Sequence, residues 1–154
     1  MGTYFGSYAL FLAAAISTHA LVGYTLGSAL YDAPRAGLLG GVVADADFLL
    51  PATLEWPLVH RGITHSAVAV GVLAAVVAAR SRATGGALGA GYVSHLVIDA
   101  TTPMGIPLAY PVVTERIGVS LGGHSPTATA VLWACCLGWL SCRGRLPVGR
   151  AVGE

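Results

Sequence analysis

Long apolar runs, broken by short polar or proline-rich stretches, dominate the chain. Five of them, at residues 7–31, 36–50, 63–79, 83–99 and 126–142, predict helices. The first and the last three approach the ~17–25 residues that carry a helix across a bilayer. The second is shorter and ends in Asp45 and Asp47, so it either enters a membrane part way or opens its acidic end into a polar cavity. Between Thr102 and Thr114, Pro103, Pro107 and Pro111 argue against a continuous helix and predict a re-entrant or interfacial loop. Residues 143–154 read as a flexible C-terminal tail. The expected fold class is all-α: an integral membrane bundle of four to five apolar helices with a Pro-rich loop, in a single membrane-embedded domain, 1–154.

Composition points to the same solvent. The 154 residues are 55% hydrophobic and 10% charged, where soluble domains carry about 25% charged residues. In lipid, a helical bundle satisfies its backbone polar groups internally. The formal charge is +1 and no basic stripe follows the chain, which excludes a nucleic-acid partner. Cys135, Cys136 and Cys142 form neither a C-x-x-C pair nor an even disulfide set and read as apolar packing residues. The run from Met1 to Ala20 lacks a basic n-region and reads as a retained first helix. If all five segments cross, Arg35, Arg80, Arg82, Arg143, Arg145 and Arg150 fall on one side. The positive-inside rule makes that side cytoplasmic, so the ends bearing the histidines and aspartates face out of the cell.

Small residues recur at helical spacing with the unusual polar groups. Ala15, His19, Gly23 and Gly27 are four apart, as are Gly37, Gly41 and Asp45, and again Ala87, Gly91, His95 and Asp99. Side chains at i and i+4 share a face, and small residues mark faces where membrane helices approach closely. The polar groups therefore point into the bundle.

Those groups carry the candidate chemistry. His95 and Asp99, one turn apart, offer two ligands from one helix face. In soluble proteins such a pair is more often a simple hydrogen bond, but an ionisable group in an apolar segment marks a functional site. In His60-Arg61-Gly62-Ile63-Thr64-His65-Ser66, two imidazoles flank a glycine turn. Arg61 offers a planar fork suited to an anionic group; the plain alternative is an arginine snorkelling to headgroups. Asp45 and Asp47 do not share a helix face, so joint ligation requires the helix to end there; otherwise one binds metal while the other orients a ligand histidine. His19 lies near the middle of the first segment, and His124 and Ser66 are secondary candidates. The candidate metal set is thus His19, Asp45, Asp47, His60, His65, His95 and Asp99, with Asp45, Asp47 and Arg61 as candidate catalytic groups. Mixed imidazole and carboxylate ligation favours zinc first, then manganese or iron, over magnesium or calcium. Seven candidates exceed one tetrahedral site and suit one or two ions.

The order THALVG, GGVVADADFLLP, HRGITHS and GYVSHLVIDATTPMGIPLAYP resembles the YdjM-type, LexA-regulated family of prokaryotic membrane-bound metal-dependent hydrolases, over roughly Thr18 to Pro111. Its pattern points to the same seven metal positions. Ala44 departs from it, standing where a proline is expected. The H-x-x-x-D element is also similar to that of zinc-dependent phospholipases C. The resemblance implies a hydrolase of the prokaryotic cytoplasmic membrane, and the analogy suggests a lipid or lipid-linked phosphoester as the anionic substrate. The competing reading is a small transporter or proton or metal relay built from the same cluster; a scaffold with a structural metal is a third. Oligomeric state is not readable from the chain.

Overall fold

In the computed structural model, residues 4, 6–51 and 53–145 are described. They form helices α1 (Tyr8–Tyr31), α2 (Pro34–Val43), α3 (Ala67–Ala78), α4 (Arg82–Ala100) and α5 (Pro126–Cys142), with 3-10 helices at Ala44–Leu49 and Ile63–His65. No strand occurs among the described residues, only isolated bridges such as Ile106 to Ile117. The chain is all-helical, as the apolar pattern predicts.

Local chemistry fixes most helix starts. Ser7, Ser66, Ser81 and Ser125 accept hydrogen bonds from the backbone N–H groups of Leu10, Ala69, Thr84 and Ala128, satisfying amides that a helix N-terminus leaves without partners. α2 instead begins on Pro34, whose fixed φ and missing N–H suit that position.

Two predicted segments are broken where the pattern was continuous. The 63–79 run is divided by Ser66, which is extended at φ −114°, ψ 155° in order to cap α3. α3 is consequently 12 residues long, about 18 Å. The 36–50 run is helical from Pro34 to Val43 and then tightens to a 3-10 helix through both aspartates. Among the described residues one helix, α1 with 24 residues, is long and apolar enough to cross a membrane, and α3 and α5 are shorter apolar helices. Within the segment expected as a flexible tail, Arg145 is tied back onto α1: its Nη1 donates to Ser28 O and pairs with Asp32 Oδ1 at 2.9 Å. Residues 146–154 lie outside the described residues.

The small-residue stripes are the seams of the bundle. α1, α2 and α4 pack mutually, with α3 on α4 and α5 on α1. At Gly37 a Cβ would collide with the Gly23 carbonyl oxygen, and at Gly91 with the Gly37 carbonyl oxygen. Any side chain there forces the backbones apart, so these contacts hold the three helices at a spacing only glycine permits.

Contacts at the two ends show how the helices run. Tyr4 meets His124 and Thr129 at one end, while Arg145 meets Ser28 and Asp32 at the other. α1, α3 and α5 therefore run one way and α2 and α4 the other. Arg35, Arg80, Arg82, Arg143 and Arg145 gather at one end with Asp32, and the histidines with Asp45, Asp47 and Asp99 lie toward the opposite end. Valines and leucines cover the outside, including Val72, Val76, Val97 and Val131, whereas His19, His65, His95, Asp99 and Arg61 are buried. This inversion of the soluble pattern suits lipid as the surrounding medium.

Candidate metal centre

Four donors converge inside the bundle. His65 Nε2 and His95 Nε2 are 3.3 Å apart. Asp99 Oδ2 lies 3.4 Å from the first and 3.7 Å from the second, and Asp45 Oδ1 lies 3.9 and 3.7 Å from the same two nitrogens. Around an ion with bonds of ~2.0–2.2 Å, tetrahedral ligand atoms sit about 3.3–3.6 Å from one another. Five of the six edges of such a set therefore fall at or slightly above the separations a zinc-sized ion requires.

Hydrogen bonding decides which imidazole nitrogens face this point. His95 Nδ1 is 2.7 Å from the Gly41 carbonyl oxygen. A carbonyl only accepts, so Nδ1 carries the proton and Nε2 presents a lone pair. Thr64 Oγ1 donates to Asp47 Oδ2 at 2.9 Å and lies 2.9 Å from His65 Nδ1. The hydroxyl has one proton, so His65 Nδ1 must donate to it and Nε2 is again bare. Two lone pairs and two carboxylate oxygens facing one another repel unless a cation lies between them. No hydrogen bond reaches the Asp45 carboxylate among the described residues, which leaves it free for such an ion. The donor set fits a divalent metal.

Net charge gives the same answer. Asp45, Asp47 and Asp99 carry three negative charges and Arg61 one positive, leaving two negative charges with neutral histidines. Burial pushes the Asp45 carboxyl upward. Burial acts the same way on Asp47, but hydrogen bonds from His60, His65 and Thr64 outweigh it and hold that carboxyl below the usual range. At His65 burial disfavours the cation, yet Asp47 and Asp99 overcome it and raise the affinity for a proton. The cluster attracts positive charge, which a divalent ion supplies in full.

The remaining predicted residues divide around this point. Asp47 does not face it. Its Oδ1 is 3.0 Å from His60 Nδ1, and its Oδ2 accepts from Arg61 N at 3.1 Å and from Thr64. It fixes the tautomer of His65 from behind, the second of the two roles open to a D-x-D unit. Arg61 is turned inward at φ 58°, a left-handed conformation uncommon for a long side chain. Its Nη2 is 2.9 Å from Asp99 Oδ1 and its Nη1 donates to Thr102 Oγ1 at 2.7 Å. The guanidinium, buried with Asp99, thereby engages Nη1 and Nη2 inside the protein. Its Nε is buried without a partner.

His19 stacks on His95 with ring centroids 3.8 Å apart and approaches Asp99 Oδ1 to 3.5 Å. His60 is the most open imidazole, its side chain 33% exposed against 10% for His124, and it is stacked on Phe48. His19, His95 and Asp99 form one group with ligand atoms within 4.8 Å, and Asp45, His60 and His65 form another. The four central donors take two from each group, and the tautomers of His65 and His95 independently aim their Nε2 atoms at one point. Ser66 is not aimed there, since its hydroxyl donates to Ile63 O and caps α3.

His124, Thr64, Thr102 and the Gly41 carbonyl complete the surroundings. His124 Nε2 lies 2.9 Å from Asp99 Oδ1, so that this oxygen is held by His124 and Arg61 while Oδ2 faces the four-donor point. Loop contacts of this kind leave no periodic signal; Thr64 lies inside the two-histidine motif and carries no signal beyond that.

Helices with ionisable groups turned inward around a cluster that could hold a metal ion, and apolar side chains turned outward, are the build expected of an inner membrane protein with a candidate metal centre. The chain belongs to the YdjM inner membrane protein family, whose family model matches residues 14–152. The match extends well beyond the stretch that carries the resemblance, through α5. No curated protein and no solved structure matches the chain.

Proposed function

We propose that this protein is a membrane-bound metal-dependent hydrolase acting on a lipid or lipid-linked phosphoester. The observation that carries the reading is the convergence of His65 Nε2, His95 Nε2, Asp45 Oδ1 and Asp99 Oδ2 with both imidazoles in the metal-binding tautomer. A divalent ion held there supplies an acidified water and a Lewis acid for the ester oxygen. Zinc suits four mixed N/O donors best, with manganese or iron as alternatives; a second ion fits only if His19 or His60 joins as a ligand.

The chain's own residues supply positioning and proton transfer. Asp47 keeps His65 bare at Nε2, and Arg61 with His124 keeps Asp99 Oδ2 directed at the four-donor point. Because both Asp47 oxygens are occupied, the general base falls to His60: its Nδ1 donates to Asp47, leaving Nε2 free on the partly open side. Arg116 takes over the anion-holding role. It is exposed and lies over the Trp56 ring at 5.9 Å.

Exposed apolar side chains at this end suit a lipid-borne substrate: Leu49, Val112 and Leu121 are 87%, 88% and 72% exposed and Trp56 is 41% exposed, a composition that suits the membrane interface. The opposite end carries Arg35, Arg80, Arg82, Arg143 and Arg145 against Arg61 and Arg116 at this one, and the positive-inside rule then favours a site on the extracytoplasmic side of the cytoplasmic membrane. The test is hydrolysis of short-chain lipid phosphoesters by the zinc-loaded protein in detergent. His60→Gln is expected to lower kcat by ~10²–10⁴-fold with metal retained, and Arg116→Gln to raise KM. Failure of a broad phosphoester panel, or hydrolysis untouched by His65→Ala, would overturn the proposal.

A further inference from the structure

A groove of about 910 Å³ lies on the side of α4 facing away from the metal centre. Its floor is Gly89, Ala90, Val93 and Val97, with α3 on one side and Val22 and Leu26 of α1 on the other. Val93 stands two residues before His95, about 200° around the helix. Val93 and Val97 are half exposed while His95 and Asp99 are buried. α4 therefore separates groove from site, and a substrate seated in one does not lead into the other.

One end of the groove is cationic. Arg82 lines it beside Tyr31, and its guanidinium has no ion-pair or hydrogen-bond partner among the described residues. From Arg82 to Val97 is about 22 Å of helix, longer than the ~15 Å hydrocarbon depth of one leaflet. We propose that this groove holds an acyl chain of an anionic phospholipid whose phosphate pairs with Arg82. The apolar floor accepts the chain, and the arginine end lies at the level where headgroups begin. A second copy of the chain fits less well, because a two-fold axis along the membrane normal brings the two Arg82 side chains together at one depth.

The test uses the full chain, delipidated in detergent, with phosphatidylglycerol or phosphatidylcholine added back and bound lipid read by native mass spectrometry. The expected result is a retained phosphatidylglycerol adduct and a higher melting temperature. Arg82→Gln should bind it about fivefold more weakly or worse, the factor one basic residue contributes at an anionic lipid surface, and Arg82→Lys should restore most of the loss. Ala90→Leu should block the adduct while circular dichroism stays helical. Equal phosphatidylglycerol binding by wild type and Arg82→Gln would overturn the proposal, as would a lipid-free dimer that Ala90→Leu dissociates.

Discussion

Replacing Asp47 with asparagine separates a metal ligand from a residue that orients one. The amide keeps the carboxylate's size but removes its charge and one acceptor. Of the groups now on Asp47, namely His60 Nδ1, Arg61 N, Thr64 Oγ1 and His65 Nδ1, at least one then meets an N–H₂ donor. His65 loses the negative charge behind the Thr64 hydroxyl that fixes its tautomer, and residues in that position typically contribute 10–100-fold to metal affinity, about 1.4–2.8 kcal/mol. Hydrogen bonds to a charged group contribute ~1.5–3 kcal/mol each, so a comparable loss of stability is expected. The assay is competition for zinc against a chromogenic chelator, with a parallel thermal melt, in Asp47→Asn, Asp45→Asn and His95→Ala. Asp47→Asn should bind 10–100-fold more weakly, while the other two lose the site. Wild-type affinity in Asp47→Asn would refute the orienting role. Loss as complete as in His95→Ala would make Asp47 a direct ligand.

Other outcomes follow from the same geometry. Arg61→Met leaves Asp99 buried without its cation and should destabilise by ~3–5 kcal/mol, read as a much lower melting temperature, with Arg61→Lys intermediate. Gly91→Leu forces α4 from α2 at the Gly37 carbonyl and should abolish zinc binding although the residue touches no ligand; retained binding would show the seam to be compliant. Zinc affinity should fall as pH drops, because both imidazoles must be bare. His65 has a raised proton affinity, so competition sets in above the ordinary 6.5, up to about tenfold per pH unit for each proton displaced. A flat profile from pH 8 to 6 would remove His65 from the centre.

Periodic features were legible in the sequence, and contacts between loops were not. The stripes through Gly23, Gly37 and Gly91 are i, i+4 patterns, so the seams and the inward direction of His19, His95 and Asp99 can be read from spacing. The serine at position 66 reads as part of an apolar run until its capping bond is seen, which is why α3 is shorter than its segment. D-x-D does not say which carboxylate turns inward; the 3-10 winding after Val43 decides it. Arg61 looks free in the chain and becomes internal because a left-handed backbone and the Asp47 carboxylate swing it onto Asp99. His124, 25 residues beyond Asp99, reaches it only because the loop after α4 folds back.

The central claim is that His65, His95, Asp45 and Asp99 together hold a divalent ion. X-ray absorption on the protein purified with zinc tests it directly. The account predicts at least one zinc per chain, with light N/O ligands only at ~2.0–2.2 Å, imidazole scattering from at least two histidines, and loss of that signal in His95→Ala. A protein that stays zinc-free when zinc is supplied, or a sulfur-ligated ion at one of the cysteines, would contradict it.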